Sequence, residues 1–130
     1  MFEYQQSTGV IKAIPTSPWQ NHPYLYPGRG YSGAGVFKNN PEAESLKDKG
    51  PIPKGEYGIL GPPAQTADHG PYVLHLYAKP GTETYGRSGF LIHGDSVTDP
   101  GTASKGCIVL DRRIRQIIWE SGDRDLRVIP

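Results

Sequence analysis

Hydrophobic positions along this chain fall in short runs, separated by stretches rich in Gly and Pro. Near the N-terminus, Phe2–Gln6 and Val10–Ile14 flank Ser7-Thr8-Gly9, two β-prone runs around a Gly-containing turn, which predicts a hairpin. Tyr72, Leu74 and Leu76 alternate with Val73, His75 and Tyr77, the period-2 pattern of a half-buried strand over 72–78. Glu56–Leu60, Phe90–His93, Gly106–Leu110 and Leu126–Ile129 read as further short strands. A helical pattern is clear at one place. Ile114, Ile117 and Ile118 fall at i, i+3 and i+4, Asp111 is a good N-cap, and Gly122 is a good stop, so a helix is predicted over 111–121. A shorter helix is expected after Asn40, with Pro41 at its first position, Glu42 and Glu44 in its first turn, and Gly50 at its end. Residues 15–35 and Gly50-Pro51-Ile52-Pro53-Lys54-Gly55 read as loop and rigid turn.

The expected architecture is therefore mainly β, an α+β chain forming a small β-sandwich with one main helix near the C-terminus. The length of 130 residues suits one domain spanning 1–130. Gly 17 and Pro 13 overlap the range of disordered chains. Plentiful aromatics (Tyr 8, Phe 3, Trp 2) and a net charge of only +1 argue instead for a turn-rich folded β protein.

Near-neutral charge gives no footprint for nucleic acid or an anionic membrane. The basic run Asp111-Arg112-Arg113-Ile114-Arg115 reads as a solvated helix face. No stretch approaches the ~20 apolar residues of a membrane span, so no membrane insertion is expected. Met1-Phe2-Glu3-Tyr4-Gln5-Gln6 lacks the basic and apolar regions of a signal peptide. A chain acting outside the cytoplasm would then need a dedicated export machine. With one cysteine there is no internal disulfide. A monomer is expected.

That cysteine, Cys107, sits in an apolar run, where a lone cysteine is most often a small buried hydrophobe. His93 changes the balance. It ends an apolar strand before Gly94-Asp95, and a strand–loop–strand path can bring it back to Cys107. An imidazole there can take the thiol proton. Gly106 lets the backbone approach a substrate closely, and N–H groups around Cys107 can hold an oxyanion. A strand-end histidine bonded only to backbone is the plainer alternative. His22, His69 and His75 lack zinc spacing, so no metal and no cofactor are expected. His75 is read as structural or pocket-lining. Tyr24, Tyr26 and Tyr31 can stack on glycan or simply pack. Asp95 can position His93, bind an ammonium group, or only shape its turn.

Ile92-His93-Gly94-Asp95 followed by Ser104-Lys105-Gly106-Cys107-Ile108-Val109-Leu110 resembles the L,D-transpeptidase catalytic domain, the YkuD family. Its signature is a histidine, then about 14 to 17 residues, then Ser/Thr-His-Gly-Cys. Tyr31-Ser32-Gly33-x-Gly35, Gly50-Pro51-Ile52-Pro53-x-Gly55-x-Tyr57 and Arg87-Ser88-Gly89-Phe90 extend the likeness to a divergent branch of toxic effectors delivered by type VI secretion. The resemblance implies Cys107 as nucleophile, His93 as base, and the Gly94 carbonyl as the group orienting the imidazole. Ser104 and Gly106 match the signature. Lys105 replaces its second histidine, and Val109 replaces the usual Arg/Asn. Lys105, Arg87 or Arg112 can hold a substrate carboxylate.

The implied substrate is the stem tetrapeptide of peptidoglycan. Cys107 would attack the diaminopimelate–D-alanine carbonyl, release D-alanine, and pass the acyl group to an amine, a D-amino acid or water. The implied life history is synthesis in a bacterial cytoplasm, delivery by secretion machinery and action in a target cell's periplasm, with a cognate immunity protein as partner. Two other readings are a housekeeping cell-wall enzyme and a non-catalytic peptidoglycan-binding module. Slow alkylation of Cys107 at neutral pH would favour the module.

Overall fold

The computed structural model describes residues 1–15 and 28–130. The chain is mainly β, and the described residues form nine strands in one sheet and one α-helix. In chain order the strands are β1 (Phe2–Gln5), β2 (Val10–Ala13), β3 (Gly28–Arg29), β4 (Tyr31–Ser32), β5 (Gly55–Thr66), β6 (Gly70–Ala78), β7 (Leu91–His93), β8 (Ile108–Val109) and β9 (Asp125–Ile129). The helix α1 covers Arg112–Glu120. Their order across the sheet is β3-β2-β1-β9-β5-β6-β7-β8-β4.

The two ends of this order are consecutive in sequence. β3 pairs with β2, β4 pairs with β8, and only Gly30 lies between them. One extended stretch, 28–32, thus stitches both edges together, and the sheet becomes a near-barrel. Gly30 is required at this corner. Its N–H donates to Gly9 O at 2.8 Å, and a Cβ there would lie 1.7 Å from Val109 O.

One face of the sheet lines the core. Phe2, Tyr4, Ile11, Tyr57, Leu74, Ile92, Ile108 and Leu126 meet there, and α1 adds Ile118. The helix forms as its pattern predicts: Asp111 Oδ1 accepts from Ile114 N–H at 2.9 Å, and Gly122 follows with φ +78°.

Four expectations change. Residues 28–32, read as part of a loop, form β3 and β4 because they pair with β2 and β8. The segment after Asn40 is a short 3-10 turn, Pro41–Ala43, followed by further turns, with Asn40 capping Glu42 N–H as expected. The chain is pinned here by Glu44, whose carboxylate accepts from Gln6 and Lys54. β5 runs six residues beyond Leu60, through Pro62-Pro63, because register shifts between Leu60 and Ala64 free those positions from the ladder. His75, expected to be structural or pocket-lining, is exposed. His22, Tyr24 and Tyr26 lie outside the described residues.

Candidate active site

β7 and β8 run parallel, with Ile92 opposite Ile108 and His93 opposite Val109. Ile92 and Ile108 enter the core, so alternation turns His93 and Val109 to the other side. Cys107 leads into β8 one step before Ile108 and stands diagonally from His93. Such a diagonal in a sheet spans about 7–8 Å, within reach of long side chains. The structure therefore brings the two expected residues onto neighbouring strands.

Cys107 is half-buried. Its Sγ lies 3.9 Å from Gly89 O, and Leu91 N–H points at the sulfur. Burial pushes the thiol up from its ordinary value, against the pull of Leu91 N–H and the Arg87 guanidinium. The resting cysteine is a thiol, not a preformed thiolate.

His93 is 1% exposed. Its Nδ1 pairs with Gly94 O at 2.8 Å. A carbonyl only accepts, so Nδ1 carries the proton and Nε2 presents a lone pair. Among the described residues Nε2 has no hydrogen-bond partner. The thiol–imidazole bond is thus not made in this state, which is common for catalytic contacts without substrate. Burial pushes His93 below the ordinary histidine value. Gly94 O opposes the shift, while His69 and Arg115 add to it. Both shifts favour the neutral forms, an imidazole and a thiol.

Ser104 clamps the turn before Cys107. Its Oγ accepts from Gly33 N–H at 2.9 Å and Gly106 N–H at 3.1 Å, and donates to Cys107 O at 2.7 Å. Gly106 N–H is thereby committed inside the turn and is not an oxyanion donor. Gly106 itself has φ +136°, and a Cβ would lie 2.2 Å from an Arg87 nitrogen. Ser104, matched to the signature by resemblance, is 1% exposed, and its Oγ serves the turn.

Arg87 is largely engaged within the fold. Its guanidinium donates to the carbonyls of Glu44, Pro51 (2.8 Å) and Gly50 (3.0 Å). It braces the floor of a cleft of ≈ 170 Å³ that Cys107, Lys105 and Lys47 line. Lys105 and Lys47 are exposed there; Arg112, the third expected carboxylate holder, is also exposed but lines a separate hollow with Asp95 and Arg115.

Asp95 shapes the loop between His93 and Cys107. It accepts from Tyr31 Oη at 2.5 Å, Ser96 N–H at 2.8 Å and Gly101 N–H at 3.1 Å, and Tyr31 Oη accepts from Ala103 N–H at 2.9 Å. Burial opposes its charge, but these donors hold Asp95 below its ordinary value.

Two residues near His93 escaped the sequence reading. Arg115, taken as part of a solvated face, is 5% exposed and donates to Pro71 O and Tyr72 O at 2.9 and 2.7 Å. Its position three residues before Ile118, on the helix's buried stripe, was the available signal. His69 stacks on His93 with ring centroids 4.1 Å apart and planes at 22°; no spacing in the sequence announces this. Among the described residues no cluster of three or more His, Cys, Asp or Glu side chains is placed to hold a metal, and no helix is long and apolar enough to cross a membrane.

Compared with protein families, residues 28–127 match the model of the Tlde1 domain. Neither the curated proteins nor the solved structures give a match.

Proposed function

The chain belongs to the Tlde1 domain family, antibacterial effectors secreted into target cells by the type VI system, and on that premise we propose that it is a cysteine acyl-transfer enzyme acting on peptidoglycan stem tetrapeptides in the target's periplasm. One observation carries the reading. The buried His93 spends Nδ1 on Gly94 O and, among the described residues, leaves Nε2 without a partner, on the strand beside Cys107. A buried acceptor left unpaired costs about 1–3 kcal/mol, a cost a proton-transfer role accounts for.

In the proposed sequence His93 Nε2 takes the Cys107 proton as Sγ attacks the carbonyl between diaminopimelate and D-alanine. The tetrahedral intermediate collapses, His93 returns the proton to the departing D-alanine amine, and a thioester remains. An amine of a second stem, a D-amino acid or water then attacks the thioester, and its proton leaves through His93 to the returning thiolate. The Gly94 carbonyl plays the orienting part of a triad's acid. Lys105, exposed at the cleft rim, is suited to a stem carboxylate. A cell that makes this enzyme needs an immunity protein against it.

Incubation with purified tetrapeptide muropeptides should release D-alanine, and Cys107→Ala should abolish the release. Full activity in Cys107→Ala would sink the assignment. The raised thiol and the unmade contact with His93 favour a second reading, a peptidoglycan-binding module. Slow alkylation does not separate the two, since burial makes a slow thiol the expectation for either resting site. Muropeptide binding without any D-alanine release by the wild-type chain would favour the module.

A further inference from the structure

His69 has no part in the chemistry above, yet it makes the closest ring contact to its base. It stands at the tip of the β5–β6 hairpin, where Thr66 pairs with Gly70. Its own N–H donates to Thr66 Oγ1 at 3.0 Å, so the tip is internally tied. Next along the chain, Arg115 holds the start of β6 through the carbonyls of Pro71 and Tyr72. The backbone that carries His69 is thus tied down on both sides of its position in sequence. It is itself half-buried, while the His93 ring beneath it is 1% exposed.

We propose that His69 is a positioning residue for the base: its ring stacks on His93, fixes the plane of the imidazole and keeps water from its face. The proposal rests on the reading of His93 as the base. Stacked at 4.1 Å and 22°, the lower ring cannot tilt without losing its aromatic contact. The Nδ1–Gly94 O bond fixes which nitrogen is protonated, and the stack fixes where the other points.

The cover also favours the neutral ring, since a base shut away from water resists charging. The charged and titratable groups facing His93 are His69 from the β5–β6 turn, Arg115 from α1 and Asp95 from the loop after β7. Cys107 immediately precedes β8, the neighbour of β7, and Tyr31 lies on β4, one strand further. His69 and Arg115 act against a charge on His93, and Asp95 acts for it.

The test is an NMR titration of the His93 ring in wild type, His69→Ala and His69→Phe, with kcat and KM for D-alanine release measured on the same proteins. In His69→Ala water reaches the ring, so the His93 midpoint should rise and the acid limb of the pH–rate profile should move up with it. Because a displacement of about 1 Å can cost about 10²-fold, kcat should fall by about tenfold or more with KM nearly unchanged. His69→Phe keeps a flat cover without a titrating group and should restore a low midpoint and most of kcat. Thermal melts of both variants identify any loss of folding, and His69→Phe keeps the test open if His69→Ala does not fold. A His93 midpoint that stays put in folded His69→Ala overturns the proposal. So does a rise that His69→Phe fails to reverse. The titration needs no turnover, so it stands even if Cys107→Ala shows the acyl-transfer reading to be wrong.

Discussion

Replacing Ser104 by Ala removes one oxygen and strands three backbone groups. The Oγ is the acceptor for Gly33 N–H and Gly106 N–H and the donor to Cys107 O, in a site only 1% exposed. Alanine leaves two donors unpaired away from water, each costing about 1–3 kcal/mol, and a water entering the gap would recover part of that. A net loss of about 2–4 kcal/mol follows. For 130 residues the unfolding entropy is about 0.27 kcal/mol/K, so Tm should drop by about 7–15 °C. Calorimetry or a near-UV melt reads this directly. The functional effect should be larger than the stability effect, because the clamp holds the turn that presents Cys107. A shift of about 1 Å there would cost D-alanine release about 10²-fold, even at temperatures where the variant is folded. An unchanged Tm with undiminished release would refute both the clamp and the claim that it positions the nucleophile.

Arg87→Met should cost about 2–4 kcal/mol by leaving the carbonyls of Glu44, Pro51 and Gly50 without their donor. It should also slow alkylation of Cys107 by removing a cation that favours the thiolate; a denaturant melt and an iodoacetamide time course check the two effects. Burial opposes the charge of Glu44, but Lys54 and Gln6 hold it below the ordinary glutamate value. Its contribution to stability is therefore full above that value and lost as pH falls through the lowered one. Acid titration of Tm should show a drop in wild type that Glu44→Gln largely lacks. Gly94→Ala would place a Cβ 2.8 Å from an Arg115 nitrogen. It should lower kcat with little change in KM by shifting the carbonyl that orients His93, and steady-state kinetics would show a KM effect instead if the residue only shaped the substrate pocket.

Local rules made α1 legible, since an Asp cap, an Ile stripe and a Gly stop all speak within one segment. They also gave the hairpin at 2–14 and the alternation of β6. They failed where distant contacts decide. Pro62-Pro63 looks like a strand end, and only the pairing with β6 shows that these positions need no ladder N–H. Asn40-Pro41-Glu42 carries a sound helix start, but Gly50 packs where a Cβ would lie 1.7 Å from Ala43 O, and Asp48 takes φ +61°, so the chain turns instead. At the site, the sequence named Cys107 and His93 as partners through their spacing and the family likeness. It could not say that Arg87 donates to three carbonyls, that Ser104 is a clamp, or that a histidine 24 positions upstream stacks on His93. Those facts depend on which backbone groups arrive nearby after folding.

The join at Gly30 has a further consequence. Among the described residues the two borders of the sheet are joined by one five-residue stretch, so each border strand is only two residues long and gives another chain little to extend. In the proposed reaction a stem peptide would then be gripped mainly by side chains and loops. The sewn region is also where the ladder is thinnest: β3, β4 and β8 have two residues each and β7 has three. Hydrogen exchange should release the amides of Tyr31, Ser32, Ile108 and Val109 before those of β1, β5 and β9. The wall that carries Cys107 and His93 would then be the wall that breathes, and access to the buried base would come from the seam of the barrel while its far side stays shut.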